Sequence, residues 1–207
     1  MKVSQVFAVA AVLLLGAQVA RAQVAGVPFY PTPTGLGVMA SAEYGNPSVG
    51  QVTYALRGGA GFGPLGATAV VARVKSLSTQ TAIGGTVAMK LFGGGLLPVT
   101  ISAQAGVGRW KQTYLQGLSM VDTTRTYAPV GVAVRANVPL FPIKPFAIAY
   151  YVLGSHVKQE ARVSVGADFN LLLGLGFHAA YDIGAANGSA KTWGVGAHFN
   201  FRLPVPL

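Results

Sequence analysis

The stretch TWGVGAHFNFRL at 192–203 alternates strictly between two kinds of side chain. One set is wholly apolar and includes Trp193 and Phe199, whereas the other contains only polar residues, an arginine and glycine. Successive side chains of a β-strand point to opposite faces, so this period of two predicts a strand with one apolar and one polar face. Such a strand belongs either to a soluble sheet with an apolar interior or to a membrane barrel with an apolar exterior.

The same alternation recurs along the chain from Gly35 onward. It predicts ten strands, near residues 36–44, 52–62, 67–75, 82–92, 97–107, 127–138, 146–153, 157–169, 173–183 and 192–203. An even number of antiparallel strands joined by short connections is the pattern of a transmembrane β-barrel. We therefore predict an all-β, up-and-down transmembrane β-barrel of about ten strands, with eight as the rival count.

The charged residues indicate which face of each strand meets lipid. In nearly every predicted strand the ionisable residue shares a face with Gly, Ser, Thr or Asn, opposite the branched and aromatic residues. A charge facing lipid at mid-depth costs ~2 to 4 kcal/mol, so we expect the apolar face to contact lipid. The alternative, a soluble lipocalin-like barrel, needs a more charged surface than a chain with 10% charged and 52% hydrophobic residues provides.

The connections between the predicted strands fall into two groups. One end of the barrel receives those near 63–66, 93–96, 139–145 and 170, and the other receives those near 46–50, 76–81, 111–126, 154–156 and 184–190. Outer-membrane barrels have short periplasmic turns and longer extracellular loops. We therefore expect the longest connection, loop 111–126, at the cell surface, where it is a candidate contact for an extracellular ligand.

The first residues predict export. Lys2 is followed by an apolar run at 6–15 and by Ala20-Arg21-Ala22, which together are typical of a signal peptide at 1–22. The predicted organisation continues with an extended, unpaired Pro-rich leader at 23–34, the barrel at 35–203 and a tail at 204–207.

Three motifs make the chain resemble the small bacterial outer-membrane β-barrel proteins, the broad group of OmpA-like and OmpX-like transmembrane barrels. They are GLGVMASAEYG at the start, SVGADFNLLLGLGFHAAYDIG, and the closing WGVGAHFNFRL. The resemblance covers 35–203 and rests on pattern rather than on a catalytic signature. It implies an outer membrane of the Gram-negative type, outer-membrane lipid and the barrel-assembly machinery as partners. In this group the assembly machinery commonly reads a final aromatic residue, for which Phe201 and the terminal Leu207 are the candidates.

Composition narrows the remaining partners and compartments. The chain has no cysteine, as suits an exported protein built without disulfides. Its net charge of +10 is not gathered into a Lys/Arg cluster, so nucleic acid is not an expected partner. We expect a monomer.

Polar and charged residues of the predicted strands are expected to fill the barrel interior. They are Glu43, Arg57, Arg73, Lys75, Lys90, Arg135, Lys158, Glu160, Arg162, Asp168, His178, Asp182, His198 and Arg202. Two interpretations stay open: these residues form an interlocked plug that leaves a structural or cell-surface role, or they line a small passive pore. The ionic members include eight basic and four acidic residues, so a pore would favour anions.

The predicted inward face also carries residue types that occur in hydrolases and in metal sites. The inward face includes Ser164, His178, Glu160 and Asp182. A strand pairing through Asn170 would place Ser164 near His178. A serine, a histidine and an acidic residue on one face are the residue types that a lipid-acting hydrolase requires. A lipid substrate does not reach the lumen, so we predict no enzyme. His178 and His198 are expected to be diagonal neighbours at ~7 Å, and without a carboxylate at ligand spacing we predict no metal site and no cofactor.

Overall fold

The structure, a computed structural model, describes residues 26–47, 51–75, 79–94, 97–116, 119–137, 141–186 and 189–202. Its strands are β1 (Gly37–Pro47), β2 (Val52–Phe62), β3 (Leu65–Lys75), β4 (Thr79–Gly94), β5 (Leu97–Gln116), β6 (Ser119–Ala136), β7 (Ile143–Ser155), β8 (Glu160–Asn170), β9 (Leu175–Gly184) and β10 (Thr192–Arg202). A 3-10 turn at Leu172–Gly174 precedes β9. In the part of the chain that the structure describes, no helix is long and apolar enough to cross a membrane.

Each strand pairs antiparallel with its neighbours in sequence, and β1 pairs with β10 to close the sheet. The prediction of a ten-stranded, antiparallel up-and-down barrel is therefore confirmed. The closing register joins Ala40 to Phe199, and in the last hairpin His178 lies opposite Gly196. Closure pairs the two strands that would otherwise be open edges.

The two faces of the sheet have opposite character. Branched and aromatic side chains lie on the outside, where Leu56 is 63% exposed and Phe177 54% exposed. Ser41, Glu43 and Arg57, by contrast, are buried on the inside. This is the reverse of a soluble barrel, and it matches a barrel with lipid around it and polar groups within it.

The two ends of the barrel are defined by their connections. Among the described residues, the turn end carries 63–64, 137, 141–142 and 171–174, and the hairpin end carries 51, 156–159, 185–186 and 189–191. Outward-facing Tyr44, Tyr54, Tyr181 and Trp193 lie towards the hairpin end, whereas the aromatic residues at the turn end are phenylalanines such as Phe62, Phe92, Phe199 and Phe201. Aromatic girdles at both levels are typical of membrane barrels.

The predicted loop 111–126 is instead a β-hairpin. β5 and β6 stay paired from Lys111 opposite Thr124 to Gln116 opposite Ser119. On one side β4 pairs with β5 only as far as Trp110, and on the other β7 reaches β6 only at Thr126. The hairpin thus projects beyond the neighbouring strands. The stretch contains several Thr residues with Tyr114 and Val121, and their high strand propensity favours pairing over an irregular loop. Residues 187–188 of the predicted connection near 184–190 lie outside the described residues.

One strand has a different inward set from the one predicted. In β3 the inward residues are Val70, Ala72 and Val74, all buried, whereas Arg73 and Lys75 are exposed on the outer face. The prediction that Arg73 and Lys75 point into the lumen is wrong. Both lie within the last three residues of β3, at the hairpin end. Near the membrane interface an outward charge costs only ~0 to 1 kcal/mol. The apolar face of β3 points inward because other apolar side chains fill the lumen at this level.

Residues 26–36, called here the lumen segment, form no strand and lie inside the barrel. Val27, Phe29 and Tyr30 are buried, with Phe29 fully inaccessible, and they belong to the same apolar core as inward residues of the strands. Over its described residues, 26–34, the predicted leader forms no strand, and the sequence pattern does not predict its position within the lumen.

Candidate functional site

The lumen segment runs the length of the barrel and touches the wall at two pairs of glycines. Near the hairpin end Gly45 pairs with Gly194, and an added Cβ on Gly45 would lie 1.9 Å from the carbonyl oxygen of Gly26. A Cβ on Gly194 would lie 2.6 Å from Cδ of Pro28. Any larger residue would collide with the segment, so this pair of glycines leaves the space that its backbone occupies.

The second pair lies near the turn end, where Gly61 is opposite Gly66. A Cβ on Gly66 would lie 1.8 Å from the carbonyl oxygen of Pro33, and one on Gly61 would lie 2.6 Å from that of Gly35. The segment therefore descends from the hairpin end to the turn end and then reverses into β1. Gly35, with φ of +98°, begins that reversal in a backbone conformation that favours glycine.

Apolar and aromatic contacts hold the middle of the segment against β7. Phe29 packs edge to face on Tyr150 with 4.9 Å between ring centroids, and Tyr30 packs on Phe146 at 6.1 Å. Ile148, between these two strand residues, is fully buried. Burial of each such side chain stabilises the docked state by about 1.5 to 3 kcal/mol before ordering costs.

Polar contacts fix the segment along its length. The Thr32 amide donates to Oε1 of Gln104 at 3.2 Å, and the Arg57 guanidinium lies 5.2 Å from the Tyr30 ring centroid. Tyr30 also packs against the ring of His178 at 4.4 Å. Because these partners come from β5, β2 and β9, the segment is contacted from several sides of the barrel.

A buried ion pair joins β1 and β2 on the inner wall. Nε of Arg57 donates to Oε1 of Glu43 at 2.7 Å and Nη2 donates to Oε2 at 3.0 Å, while the Ser41 hydroxyl donates to Oε1 at 2.8 Å. The two-point contact neutralises both charges and satisfies both carboxylate oxygens. A buried pair of this kind is strongly destabilising to break because the remaining charge has no partner.

A second ionic network lies nearer the hairpin end. Arg162 bridges Asp182 at 2.6 Å and Glu160 at 2.6 Å, and its Nη2 donates to the Ala190 carbonyl at 2.8 Å. The Tyr150 hydroxyl donates to Asp182, so the same network meets the aromatic contacts of the segment. Polar groups on the three adjacent strands β7, β8 and β9 are thereby joined along the inner wall.

A third cluster lies towards the turn end and includes both inward histidines. The Nδ1 atoms of His178 and His198 are 3.1 Å apart, and Asp168, opposite His178 in the β8–β9 pairing, contributes a carboxylate. One ligand atom from each of the three lies within 4.8 Å of the other two. The expectation that these histidines have no carboxylate at ligand spacing is wrong, and Arg135 holds Asp168 from the other side at 3.0 Å.

A cavity of about 930 Å³ opens below the lumen segment at the turn end. Its lining includes Lys90, Arg135 and Lys144 together with Asp168 and the two histidines of the third cluster. The cavity is thus basic, and Tyr30 and Pro33 of the segment form part of its wall.

Most of the residues predicted for the interior lie on the lumen face. These are Glu43, Arg57, Lys90, Arg135, Glu160, Arg162, Asp168, His178, Asp182 and His198. Arg73 and Lys75 lie outside, as described above, and Lys158 is exposed beyond the end of β7, where it contacts Ser189. The Arg202 side chain is not among those that the structure describes.

The structure does not bring together the predicted hydrolase residues. Ser164 lies opposite Asp182, four residues further along β9 than His178, which faces Asp168 instead. The connection at 171–174 is longer than a tight turn at Asn170, and this longer turn sets the register. The predicted Ser164–His178 contact is therefore wrong.

Sequence reasoning missed the lumen segment and Lys144. The signal that points to the segment is β7, which is apolar on both faces: a polar lumen would not require Phe146, Ile148 and Val152 to be buried inside. An apolar inner wall predicts an apolar partner, and the leader is the apolar sequence next to the barrel.

Comparisons with solved structures find other barrels. The β-domain of the Bordetella autotransporter BrkA aligns with 81% of this chain and 99% of its own, at 14% identity and a TM-score of 0.51. The N-terminal barrel domain of Pseudomonas aeruginosa OprF covers 80% and 97% at 13% identity and 0.44, and the KdgM porin covers 79% and 99% at 9% identity and 0.48. No protein-family profile matches the sequence, and no curated protein matches it. The likeness at this level of identity is one of fold: the chain is a closed, ten-stranded antiparallel β-barrel like those of outer-membrane proteins.

Proposed function

We propose that this chain is an outer-membrane β-barrel whose lumen is closed by its own N-terminal segment. In this proposal it acts as a non-conducting scaffold that presents the β5–β6 hairpin at the cell surface, with the signal peptide at 1–22 removed on export. The observation that carries it is the position of residues 26–36, which touch the barrel wall from the level of Gly45 to that of Gly66.

The fit of the segment supports closure rather than loose occupancy. Its side chains at Val27, Phe29 and Tyr30 are buried, and the wall opposite them carries glycine where its backbone passes and apolar residues where its side chains point. Buried ion pairs on β1, β2, β8 and β9 occupy other parts of the wall, while a cavity remains at the turn end. A path for ions through this part of the lumen would require the segment to leave it.

The orientation follows from the asymmetry of the connections. Membrane barrels place short turns in the periplasm and longer connections outside. The hairpin end, with the projecting β5–β6 hairpin, is therefore assigned to the cell surface. The hairpin carries paired backbone beyond the membrane, where it offers a surface for an extracellular partner.

A second candidate function is supported by the cavity at the turn end. Lys90, Arg135 and Lys144 line it, and a basic lining attracts anions. If the segment were displaced, this lining would give an anion-favouring pore. The two functions differ in whether the native chain conducts.

Conductance in planar bilayers tests the proposal. We would compare the parent with a variant that lacks residues 26–34, after a heat-shift gel has shown that both migrate as folded barrels. We expect no stepwise conductance from the parent and anion-favouring steps from the deletion variant. Stepwise conductance of the same size from both would contradict closure by the segment and would favour the pore. A deletion variant that folds but does not conduct would also contradict it, because the segment would not then be what closes the lumen.

A further inference from the structure

The cluster of Asp168, His178 and His198 has the composition of a transition-metal site. Imidazole nitrogens and carboxylate oxygens are ligands that Zn²⁺ prefers, with three protein ligands leaving one position open. The three residues come from β8, β9 and β10, so their backbones are held by continuous strand pairing. One ligand atom from each lies within 4.8 Å of the others.

The two imidazole rings meet through their Nδ1 atoms. These atoms lie 3.1 Å apart with nearly parallel rings, so one proton is shared between them. Nε2 of each ring is buried and makes no hydrogen bond within the described residues, and Nε2 of His178 lies 3.8 Å from Oε1 of Glu43. A metal held by the two Nδ1 atoms would leave the ring protons on Nε2, where Glu43 gives His178 the carboxylate that metal-bound imidazoles commonly face.

We propose that Asp168, His178 and His198 bind a divalent transition-metal ion of the zinc type, reached from the turn end of the barrel. Two imidazole nitrogens on one tetrahedral zinc lie about 3.3 Å apart, which is close to the 3.1 Å between the Nδ1 atoms. Binding through both Nδ1 atoms moves the shared proton to Nε2 of its own ring, and the Asp168 carboxylate, with an oxygen within 4.8 Å of a nitrogen of each ring, supplies the third ligand.

The surroundings indicate which metals are favoured. Arg135 contacts Oδ2 of Asp168 at 3.0 Å, in the manner of an outer-shell partner that orients a ligand. A site with two imidazole nitrogens and one carboxylate disfavours Mg²⁺ and Ca²⁺, which require several oxygen ligands. The site therefore selects metals that bind imidazole well.

Access comes from the turn end. Asp168, His178 and His198 all line the cavity of about 930 Å³, whereas Tyr30 of the lumen segment packs on His178 from the other side at 4.4 Å. An ion reaches the cluster without displacing the segment, so the metal site does not depend on whether the barrel conducts.

Titration calorimetry with Zn²⁺ tests the proposal, using folded, chelator-treated protein in detergent without a histidine tag. We expect one equivalent of Zn²⁺ per chain, and Asp168→Asn and His198→Gln should each weaken binding by at least about tenfold, the smallest loss that outer-shell changes usually give. The matched control is His156→Asn: His156 is exposed at the opposite end of the barrel, and Asn tolerates its positive φ of 57°. This control should bind as the parent does.

Visible absorption of Co²⁺ gives a second readout, with bands that appear in the parent and are lost in Asp168→Asn. A heat-shift gel verifies that each variant is folded. The proposal is overturned if the folded parent binds no Zn²⁺, if Asp168→Asn binds as tightly as His156→Asn, or if Mg²⁺ competes on equal terms.

Discussion

An alanine at Gly66 should loosen the lumen segment from inside the barrel. Its Cβ would lie 1.8 Å from the carbonyl oxygen of Pro33, and real Cβ contacts essentially never fall below 3.0 Å, so the Pro33 backbone must move by at least about 1.2 Å. Alanine at Gly45 makes a similar collision with Gly26, at 1.9 Å. Overpacking of this kind costs about 1 to 3 kcal/mol. Since the collision is relieved when the segment leaves, the undocked population should rise about 5- to 150-fold.

Because the sequence contains no cysteine, a single introduced thiol can be labelled selectively to follow the lumen segment. Thr32 is 4% exposed in the middle of the segment, and Thr32→Cys introduces one buried thiol of similar size. Its reaction with a maleimide reports the fraction of molecules in which the segment is open, because the closed form protects it. We expect slow labelling in the otherwise unchanged barrel, and labelling about 5- to 150-fold faster with Gly66→Ala. Adding Gly45→Ala should accelerate it further, since the two collisions are at opposite ends of the segment.

Gly58→Ala is the matched control for these glycine variants. Gly58 lies on the same strand as Gly61, but an added Cβ there meets no atom within 4 Å. It should leave the labelling of Thr32→Cys unchanged, and Ser155→Cys, at an exposed position, sets the rate for an unprotected thiol. Equal acceleration by Gly58→Ala and Gly66→Ala, or labelling of Thr32→Cys at the rate of Ser155→Cys in the parent, would refute the placement of the segment.

Two further predictions concern the wall of the barrel. In both, urea unfolds the barrel from lipid vesicles, and the free energy of unfolding is compared with that of the parent. Glu43→Gln should destabilise the barrel by about 3 to 5 kcal/mol because it leaves Arg57 buried without its partner, and adding Arg57→Met should restore most of the loss; equal losses from the single and double variants would contradict this. Val71→Lys should cost about 2 to 4 kcal/mol because Val71 faces lipid, whereas Arg73→Leu, on the same face nearer the hairpin end, should change stability by no more than about 1 kcal/mol; similar effects at both positions would show that depth is not what permits Arg73.

The strands and their faces were predictable because lipid and the lumen impose opposite preferences on alternate residues. In β9 and β10 this rule correctly assigns His178 inward and Phe177 outward. It fails in β3, where Val70 and Arg73 exchange the expected faces. The rule assumes a polar lumen throughout, and there the lumen contains an apolar segment of the same chain.

The metal-ligand cluster could not be predicted from spacing within one strand. It depends on the register between β8 and β9, and a register depends on the length of the connecting turn. With the longer connection at 171–174, Asp168 rather than Ser164 faces His178. A shift of four residues in the register of β8 against β9 is the difference between an apparent hydrolase triad and a pair of histidines with a carboxylate.

The lumen segment also constrains the order in which the barrel is assembled. It precedes β1 and is joined to that strand through Gly35 and Leu36, and β1 forms the closing seam with β10. A peptide cannot pass through a hydrogen-bonded sheet, so residues 26–34 reach the lumen either while that seam is open or by threading from a mouth afterwards. Threading from the turn end would carry Phe29 and Tyr30 past the buried Glu43–Arg57 pair. Sealing the sheet around a segment already in place avoids that passage, and it makes the N-terminal sequence a participant in closure rather than a plug added to a finished barrel.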